Sequence, residues 1–368
     1  MTSEHERLEA RLCDLLGRKH CIVAGRGATA IYLALRALPA ARGKVVLPSI
    51  LCPSPANVTL YAGFEPIFCD ISLTDFNMDP AALERVLAMH DDVAAIMPVH
   101  LNGQAAPMAE IGEIARRRGV PVIEDAAQAL GGSYRGQPLG GLGDISILSF
   151  GHTKTLDVGW GGAALTDDDT LAARMREELR ALPPCPANIG DLYAEYRQVY
   201  YALKPLTDLN PQLNALFVPL PELYRAMHLF TLAEEKVDPI LTALDDLDAR
   251  VTARRENARA YRQHLQHADL QHSTLDEHDA PWRYSFLVRS DRQKEITDAL
   301  RAERIDVSNW YPPLHPWYAS GRAQDAALFP NADFYGRHVI NLWVDPGTPA
   351  EKIRQTSERI LQLLDSPR

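Results

Sequence analysis

The stretch DISILSFGHTKTLDVGWGGAALTDD, residues 144–168, sets one lysine, Lys154, between a strand-like apolar run and a cluster of glycines. ISILSF has the length and composition of a buried strand, and GGAALT beyond the glycines reads as another. Lys154 therefore stands just past the carboxyl end of a strand. Most of the other lysines sit in polar, helix-like contexts, whereas Lys154 is flanked by apolar residues and glycine.

Outward from this stretch the same punctuation repeats. The runs CIVA, KVVLP, PIFCD, VAAIMPVH and VPVIED alternate with the helical patterns ATAIYLALRAL, SPANVTLYAG, PAALERVLAMH and MAEIGEIARRRG. Near-continuous apolar strands alternating with amphipathic helices predict an α/β fold with a mostly parallel sheet covered on both faces. Ligands of such sheets bind at the carboxyl ends of the strands. We expect a large domain over residues 1–240 and a smaller C-terminal α/β domain over 241–368, the latter built from WRYSFLVRS, DRQKEITDALRAER, HVINLWV and TPAEKIRQTSERILQLL. Residues 183–228, rich in proline and tyrosine, read as irregular helices and loops, and a long polar helix is expected over about 240–266.

The chain has 368 residues, 46% of them hydrophobic, enough for two domains with sizeable cores. A formal net charge of −10 argues against a nucleic-acid partner. The start, MTSEHERLEARLCDLLG, is polar, and no apolar run is long enough to span a bilayer, so we expect a cytoplasmic protein without a membrane partner. Five cysteines without a C-x-x-C pair read as reduced core residues, and no metal site is expected. His264, His267, His272 and His278 lack zinc-ligand spacing and read as a solvated face.

VAGRGATAIYLAL carries the pattern G-x-G-x-x-A at Gly25, Gly27 and Ala30, between a predicted strand and a predicted helix. A dinucleotide site would also need a carboxylate about twenty residues on, but the chain there reads KVVLPSIL, with Pro48 and Ser49. What survives is a helix N-terminus with free backbone N–H groups, suited to a phosphate.

VPVIEDAAQALGG puts Glu124, Asp125 and Gln128 where a strand becomes a helix, and ISILSFGHTK puts Ser149 and Lys154 after the next strand. A lysine, an aspartate, a hydroxyl and a phosphate-binding helix start at one sheet edge are the groups that pyridoxal 5′-phosphate (PLP) needs. The lysine amine forms a Schiff base and later moves a proton. A carboxylate beside the pyridine nitrogen keeps that nitrogen protonated. Asp125 fits this second role, since Glu124, one residue earlier on a strand, points to the opposite face.

The block VIEDAAQALGGSYRGQPLGGLGDISILSFGHTK resembles the central block of the DegT/StrS family of PLP-dependent sugar aminotransferases, fold type I. The resemblance extends to VVLPSILCPSPANVTLYAGFEPIFCDIS and VHLNGQAAPMAEIGEIARRRG upstream, and to RRENARAYRQHL, YPPLH and INLWVDPGTPAEKI downstream. It implies a seven-stranded type of sheet, with Lys154 as the Schiff-base lysine and Asp125 as the partner of the pyridine nitrogen. It also implies Gln128 against the ring, and Ser149 with the backbone of Gly27, Ala28 and Thr29 at the phosphate. It implies further a homodimer that takes an amino group from L-glutamate and gives it to a carbonyl acceptor, a nucleotide-linked keto sugar. Lysine, where related dehydratases carry histidine, favours transamination. A dehydratase, an aminotransferase for a non-sugar ketone and a non-catalytic PLP-binding regulator are the alternatives.

The chain departs from this pattern in three places. Arg26-Gly27-Ala28 stands where Ser-Gly-Thr is usual, so the threonine hydroxyl is absent unless Thr29 replaces it. TLDVGWGG after the lysine is one residue short, and the Asn-x-Arg-like segment expected within 183–228 is missing. A rebuilt acceptor pocket, for a substrate other than an ordinary nucleotide sugar, is the expectation that follows. His152, Tyr311 and His315 are further candidates for contact with substrate, each with a plain packing role as its alternative.

Overall fold

The computed structural model describes residues 3–39, 43–209, 220–318 and 326–366. Strands β1 (His20–Ala24), β2 (Lys44–Pro48), β3 (Glu65–Cys69), β4 (Val93–Ile96), β5 (Ile123–Asp125), β6 (Ile145–Ser149) and β7 (Gly162–Thr166) build the main sheet. Ladders and two bridges, Ile96 to Val122 and Val99 to Asp125, order them β3-β2-β4-β5-β6-β7-β1. Every neighbouring pair is parallel except those of β7, which runs antiparallel to both β6 and β1. The exception follows from the connection: residues 150–161 carry no crossover helix, so the chain returns beside β6 in the opposite direction.

Both faces of the sheet are covered, which is why its strands read as unbroken apolar runs. Ile147 of β6 faces a core with Leu33, Leu47 and Ile22, and its neighbour Leu148 faces another with Leu12, Val23 and Leu165. The covering helices are α1 (Glu4–Leu16), α2 (Gly27–Ala37), α3 (Pro53–Tyr61), α4 (Pro80–Met89), α5 (Met108–Arg118) and α6 (Asp169–Arg180). Sequence sets their limits: α1 opens on a capping box of Ser3 and Glu6 and stops at Gly17, whose φ of 65° is left-handed.

Residues 183–209 and 220–228 are more regular than expected, and 210–219, within the same expectation, lie outside the described residues. The described stretches hold the 21-residue helix α7 (Ile189–Leu209) and the short α8 (Leu220–Leu223). Leu192, Tyr196, Val199, Tyr200 and Leu203 recur at helical spacing, and Tyr196, Val199, Tyr200 and Leu203 pack against the main core. The helix expected over 240–266 is instead two, α9 (Val237–Asp245) and α10 (Leu247–His264), which meet at Asp246.

The C-terminal sheet is antiparallel, with β8 (Leu270–His272), β9 (Arg283–Val288), β10 (Val307–Ser308) and β11 (Val339–Trp343) in the order β8-β9-β11-β10. Helices α11 (Gln293–Ala302), α12 (Pro330–His338) and α13 (Ala350–Asp365) accompany it. Phe286, Ile296, Ile340 and Ile360 centre its core. Helix α10 serves two cores: Leu247 and Val251 pack with Leu130 and Leu148, whereas Ala258 and Tyr261 pack with Phe286 and Ile340. Val251 passes so close to Gly131 that a Cβ there would lie 2.7 Å from its Cγ2.

His272 does not lie on a solvated face. It is half-buried on β8, hydrogen-bonds the Tyr284 hydroxyl at 2.7 Å, and is pushed down to about 4 by burial. Its position on an edge strand packed over Tyr284 and Phe286 explains the difference. Cys21 and Cys69 are buried, while Cys13, Cys52 and Cys185 are half-buried, and all five are free thiols.

Candidate active site

The carboxyl ends of β1, β5 and β6 open into a cavity of about 450 Å³, walled on its other side by α7 and the C-terminal unit. Lys154 reaches it from the loop after β6. There the Lys154 N–H donates to the Gly151 carbonyl at 3.2 Å, and Thr153 takes a left-handed φ of 66°. The Asp157 carboxylate accepts the Thr153 N–H at 2.9 Å, and the Trp282 indole N–H donates to the Thr153 carbonyl. The amine of Lys154 lies 5.5 Å from the Trp282 ring centroid. Burial lowers its pKa and the positive Arg283 adds to this, while Cys52 and Asp125 oppose it.

Asp125 ends β5 and is buried, with Oδ1 accepting the Ala127 N–H at 2.9 Å. Burial raises its pKa; the Ala127 hydrogen bond and the charge of Lys154 act the other way. Glu124 points to the opposite face, where it accepts the N–H groups of Gly140, Leu142 and Gly143, the Ser146 hydroxyl and the His100 imidazole. His100 Nδ1 accepts the Ala106 N–H at 3.0 Å, so Nε2 carries the proton that it donates to Glu124 at 2.9 Å. Burial by itself would raise the Glu124 pKa, but His100 and these N–H donors overcome it and hold the carboxyl at about 2.

Gln128 is buried between Asn102, whose N–H it accepts at 2.8 Å, and the Tyr311 hydroxyl, 3.4 Å from its Nε2. At the other end, β1 turns into α2 at Arg26, and Gly27 approaches Ser149 so closely that a Cβ on Gly27 would sit 2.8 Å from the Ser149 Cβ. Only glycine lets the helix start and the hydroxyl share this corner.

Gly27, Ala28, Asp125, Gln128, Ser149, His152, Lys154 and Tyr311 all line the cavity. Thr29 and His315 are not among its lining residues. The Thr29 hydroxyl donates to the His228 carbonyl at 2.6 Å, which leaves it unable to stand in for a threonine at the helix start. His315 bonds the Ser49 hydroxyl at 2.7 Å and stacks on Phe329 at 4.0 Å, the packing role of a buried histidine. His152 is exposed at the mouth, 3.6 Å from Asp157. Tyr311 is buried and stacks parallel to Trp282 at 6.1 Å.

Sequence reasoning missed Arg26, Cys52, Tyr193, Tyr196, Tyr200, Tyr201, His228 and Trp282, all of which line the cavity. The helical spacing of the tyrosines was the one available signal for the wall from α7. Arg26 stands beside Gly27 inside a motif already read, where its charge was given no role, and the rest come from distant parts of the chain and carry no local pattern. His228 is pushed down to about 4 by burial and by the charge of Arg26, so it is neutral at pH 7. Among the described residues no cluster of three or more His, Cys, Asp or Glu residues is arranged to hold a metal ion, and no helix is long and apolar enough to cross a membrane.

The sequence profile of the DegT/DnrJ/EryC1/StrS aminotransferase family matches residues 1–183 and 239–361. The gap in this match contains α7. The chain is 43% identical over 169 residues to GDP-perosamine synthase of Caulobacter vibrioides, a match spanning 46% of this chain and 45% of that protein. It is 30% identical over 364 residues to UDP-N-acetyl-3-dehydro-alpha-D-glucosamine 3-aminotransferase of Acidithiobacillus ferrooxidans, covering 97% of this chain and 88% of that one. The crystal structure of a DegT DnrJ EryC1 StrS aminotransferase from Brucella abortus superposes with a TM-score of 0.79 at 24% identity, covering 99% of this chain and 91% of that one. At that identity the likeness speaks for the fold, the mixed α/β architecture of fold type I.

Proposed function

The chain belongs to the DegT/DnrJ/EryC1/StrS aminotransferase family, and we propose that it is a cytoplasmic, homodimeric, PLP-dependent enzyme that moves an amino group from L-glutamate to a nucleotide-linked keto sugar. The observation that carries this reading is the meeting of Lys154, Asp125 and the Gly27–Ser149 corner in one cavity.

The residues present fit the cofactor. The N-terminus of α2, opened by Gly27, and the Ser149 hydroxyl suit a phosphate. When bound, PLP supplies a carbonyl that condenses with amines and a ring that takes up the electron pair freed at the substrate α-carbon. Lys154 would anchor that carbonyl and, with its amine free, would take up and return the proton at the substrate α-carbon. Its lowered pKa increases the share of neutral amine available for both tasks. Asp125 would hold the proton of the pyridine nitrogen. Gln128, fixed by Asn102, would support the ring, and α7 with Trp282 and Tyr311 would wall the site.

The relatives named above, a perosamine synthase and an amino-sugar 3-aminotransferase, support a sugar acceptor. One observation favours a second reading, an acceptor other than an ordinary nucleotide sugar. Tyr193, Tyr196, Tyr200 and Tyr201 of α7, the segment outside the family match, line the same cavity as Lys154.

The test is the visible absorption of the protein purified with PLP, before and after L-glutamate, and then after candidate acceptors. A lysine-bound cofactor band bleached by glutamate and restored by a nucleotide-linked keto sugar supports the main reading. Restoration only by other ketones selects the second. A band that glutamate leaves unchanged refutes both.

A further inference from the structure

Arg26 is an unusual residue to find at the start of α2. It takes the position just before the helix in extended conformation (φ −153°, ψ 165°), and its side chain makes no capping hydrogen bond. It lines the cavity beside Gly27, Ser149 and Lys154. Its guanidinium carbon lies 5.9 Å from the Tyr193 ring centroid and 5.9 Å from that of Phe230, which fixes the group between α7 and the segment leading to α9. Its Nε is buried and has no hydrogen-bond partner.

What surrounds this charge matters more than the charge itself. The titratable groups that act on it are Tyr193 and Cys185, and it acts in turn on His228, which is neutral. Among the described residues no carboxylate forms an ion pair with it. Arg26 is half-buried, with only its Nε shown as fully enclosed, and a partly desolvated guanidinium without a counter-ion is costly and tends to be found where an anion will complete it. The corner it borders is short of hydroxyl groups: Ala28 has none, and the hydroxyl of Thr29 is spent on the His228 carbonyl. Ser149 and the helix N–H groups bring no full positive charge to a doubly charged phosphate, and the other arginine of the cavity, Arg197, stands on α7 over the Tyr201 ring.

We infer that Arg26 is the cationic ligand of the phosphate corner, contributed by the same chain that contributes the helix N-terminus, Ser149 and Lys154. The group it recognises is the dianionic phosphate monoester of the cofactor, so this assignment rests on the PLP reading above. The aromatic rings of Tyr193 and Phe230 hold the guanidinium plane in place, so occupancy of the corner and the seating of α7 depend on each other through Tyr193.

The experiment titrates wild type, Arg26→Gln and Arg26→Lys, each freed of cofactor, with PLP and separately with pyridoxal, which has the aldehyde but no phosphate. Binding is followed by visible absorption and by quenching of tryptophan fluorescence. The inference expects Arg26→Gln to weaken PLP at least about tenfold, equivalent to about 1.4 kcal/mol, with pyridoxal affinity unchanged within about twofold and Arg26→Lys in between. Added inorganic phosphate should compete with PLP in wild type and much less in Arg26→Gln. PLP affinity equal in wild type and Arg26→Gln overturns the inference. So does a loss of pyridoxal binding in both variants, which would make Arg26 a packing residue. If PLP affinity is unchanged but the KM for L-glutamate rises, the anion is the donor carboxylate and the cofactor assignment is wrong. If wild type itself binds pyridoxal and PLP equally weakly and forms no visible band, the PLP reading fails first.

Discussion

The indole of Trp282 lies 5.5 Å (ring centroid) from the amine of Lys154 while its N–H donates to the carbonyl of Thr153, one residue before that lysine. A side chain just before β9 of the C-terminal sheet thus aims the reactive group of the loop after β6. Trp282→Phe keeps the flat face and loses the hydrogen bond. It should cost about 1 kcal/mol of stability and slow bleaching of the cofactor band by L-glutamate, measured by stopped-flow absorption. Trp282→Ala should cost about 3–5 kcal/mol, measured by denaturant unfolding. Equal rates in wild type and Trp282→Phe would show that the loop aims itself.

Lys154 and Asp125 should separate attachment from chemistry. Lys154→Ala should bind PLP without the visible band of a lysine-bound cofactor. Asp125→Asn should keep the band and lose about 10²–10⁴-fold in the rate with L-glutamate, the usual range for a proton-managing group. An Asp125→Asn enzyme as fast as wild type would remove Asp125 from its role.

Glu124 bears on stability and not directly on turnover. Its folded pKa of about 2 lies below the ordinary 4.5, so it stabilises the fold above the ordinary value and loses that contribution as pH falls from about 4.5 toward 2. Glu124→Gln should destabilise the protein at pH 7 by about 2–3 kcal/mol, because the side-chain NH2 would face buried N–H donors that the carboxylate now satisfies. The variant should also lose part of the acid-induced drop in stability that wild type shows in this window. A wild-type unfolding free energy flat between pH 5 and pH 3 would contradict the assignment.

Tyr201 lines the cavity from α7, is 51% exposed, and packs edge-on against Tyr200 at 5.4 Å. Tyr201→Ala should change stability by less than about 1 kcal/mol, as surface substitutions usually do. It should raise the KM for the acceptor several-fold with the glutamate half-reaction unchanged. An effect on both half-reactions alike would place Tyr201 nearer to the cofactor than to the acceptor.

The main sheet was legible because its strands are buried on both faces and carry their pattern locally, as in KVVLP and ISILS, the second of which supplies alternate residues to two cores. Lys154, Asp125 and Ser149 were legible for a related reason: each follows a strand whose end could be read. Thr29 and His315 show the limit. A hydroxyl or imidazole advertises a capability, and only the tertiary neighbours, the His228 carbonyl and Ser49, reveal where it is spent. Trp282 and Tyr311 meet Lys154 through chain separations that no periodicity records. Helix α7 hid because tyrosine and proline weaken helix propensity, whereas packing of one face against the main core settles its conformation.

Helix α10 runs without interruption from the core under Gly131 into the core of the C-terminal sheet. A unit joined through a rigid rod does not swing as if on a string. A displacement of the C-terminal sheet is passed along that rod to the close approach of Val251 to Gly131, a few residues past Asp125 and Gln128 in the chain. Mechanical load on Trp282 and Tyr311 is thereby delivered to the backbone that carries the cavity's only strand-borne carboxylate among the described lining residues. Bulk added at position 131 would obstruct that approach without touching a ligand.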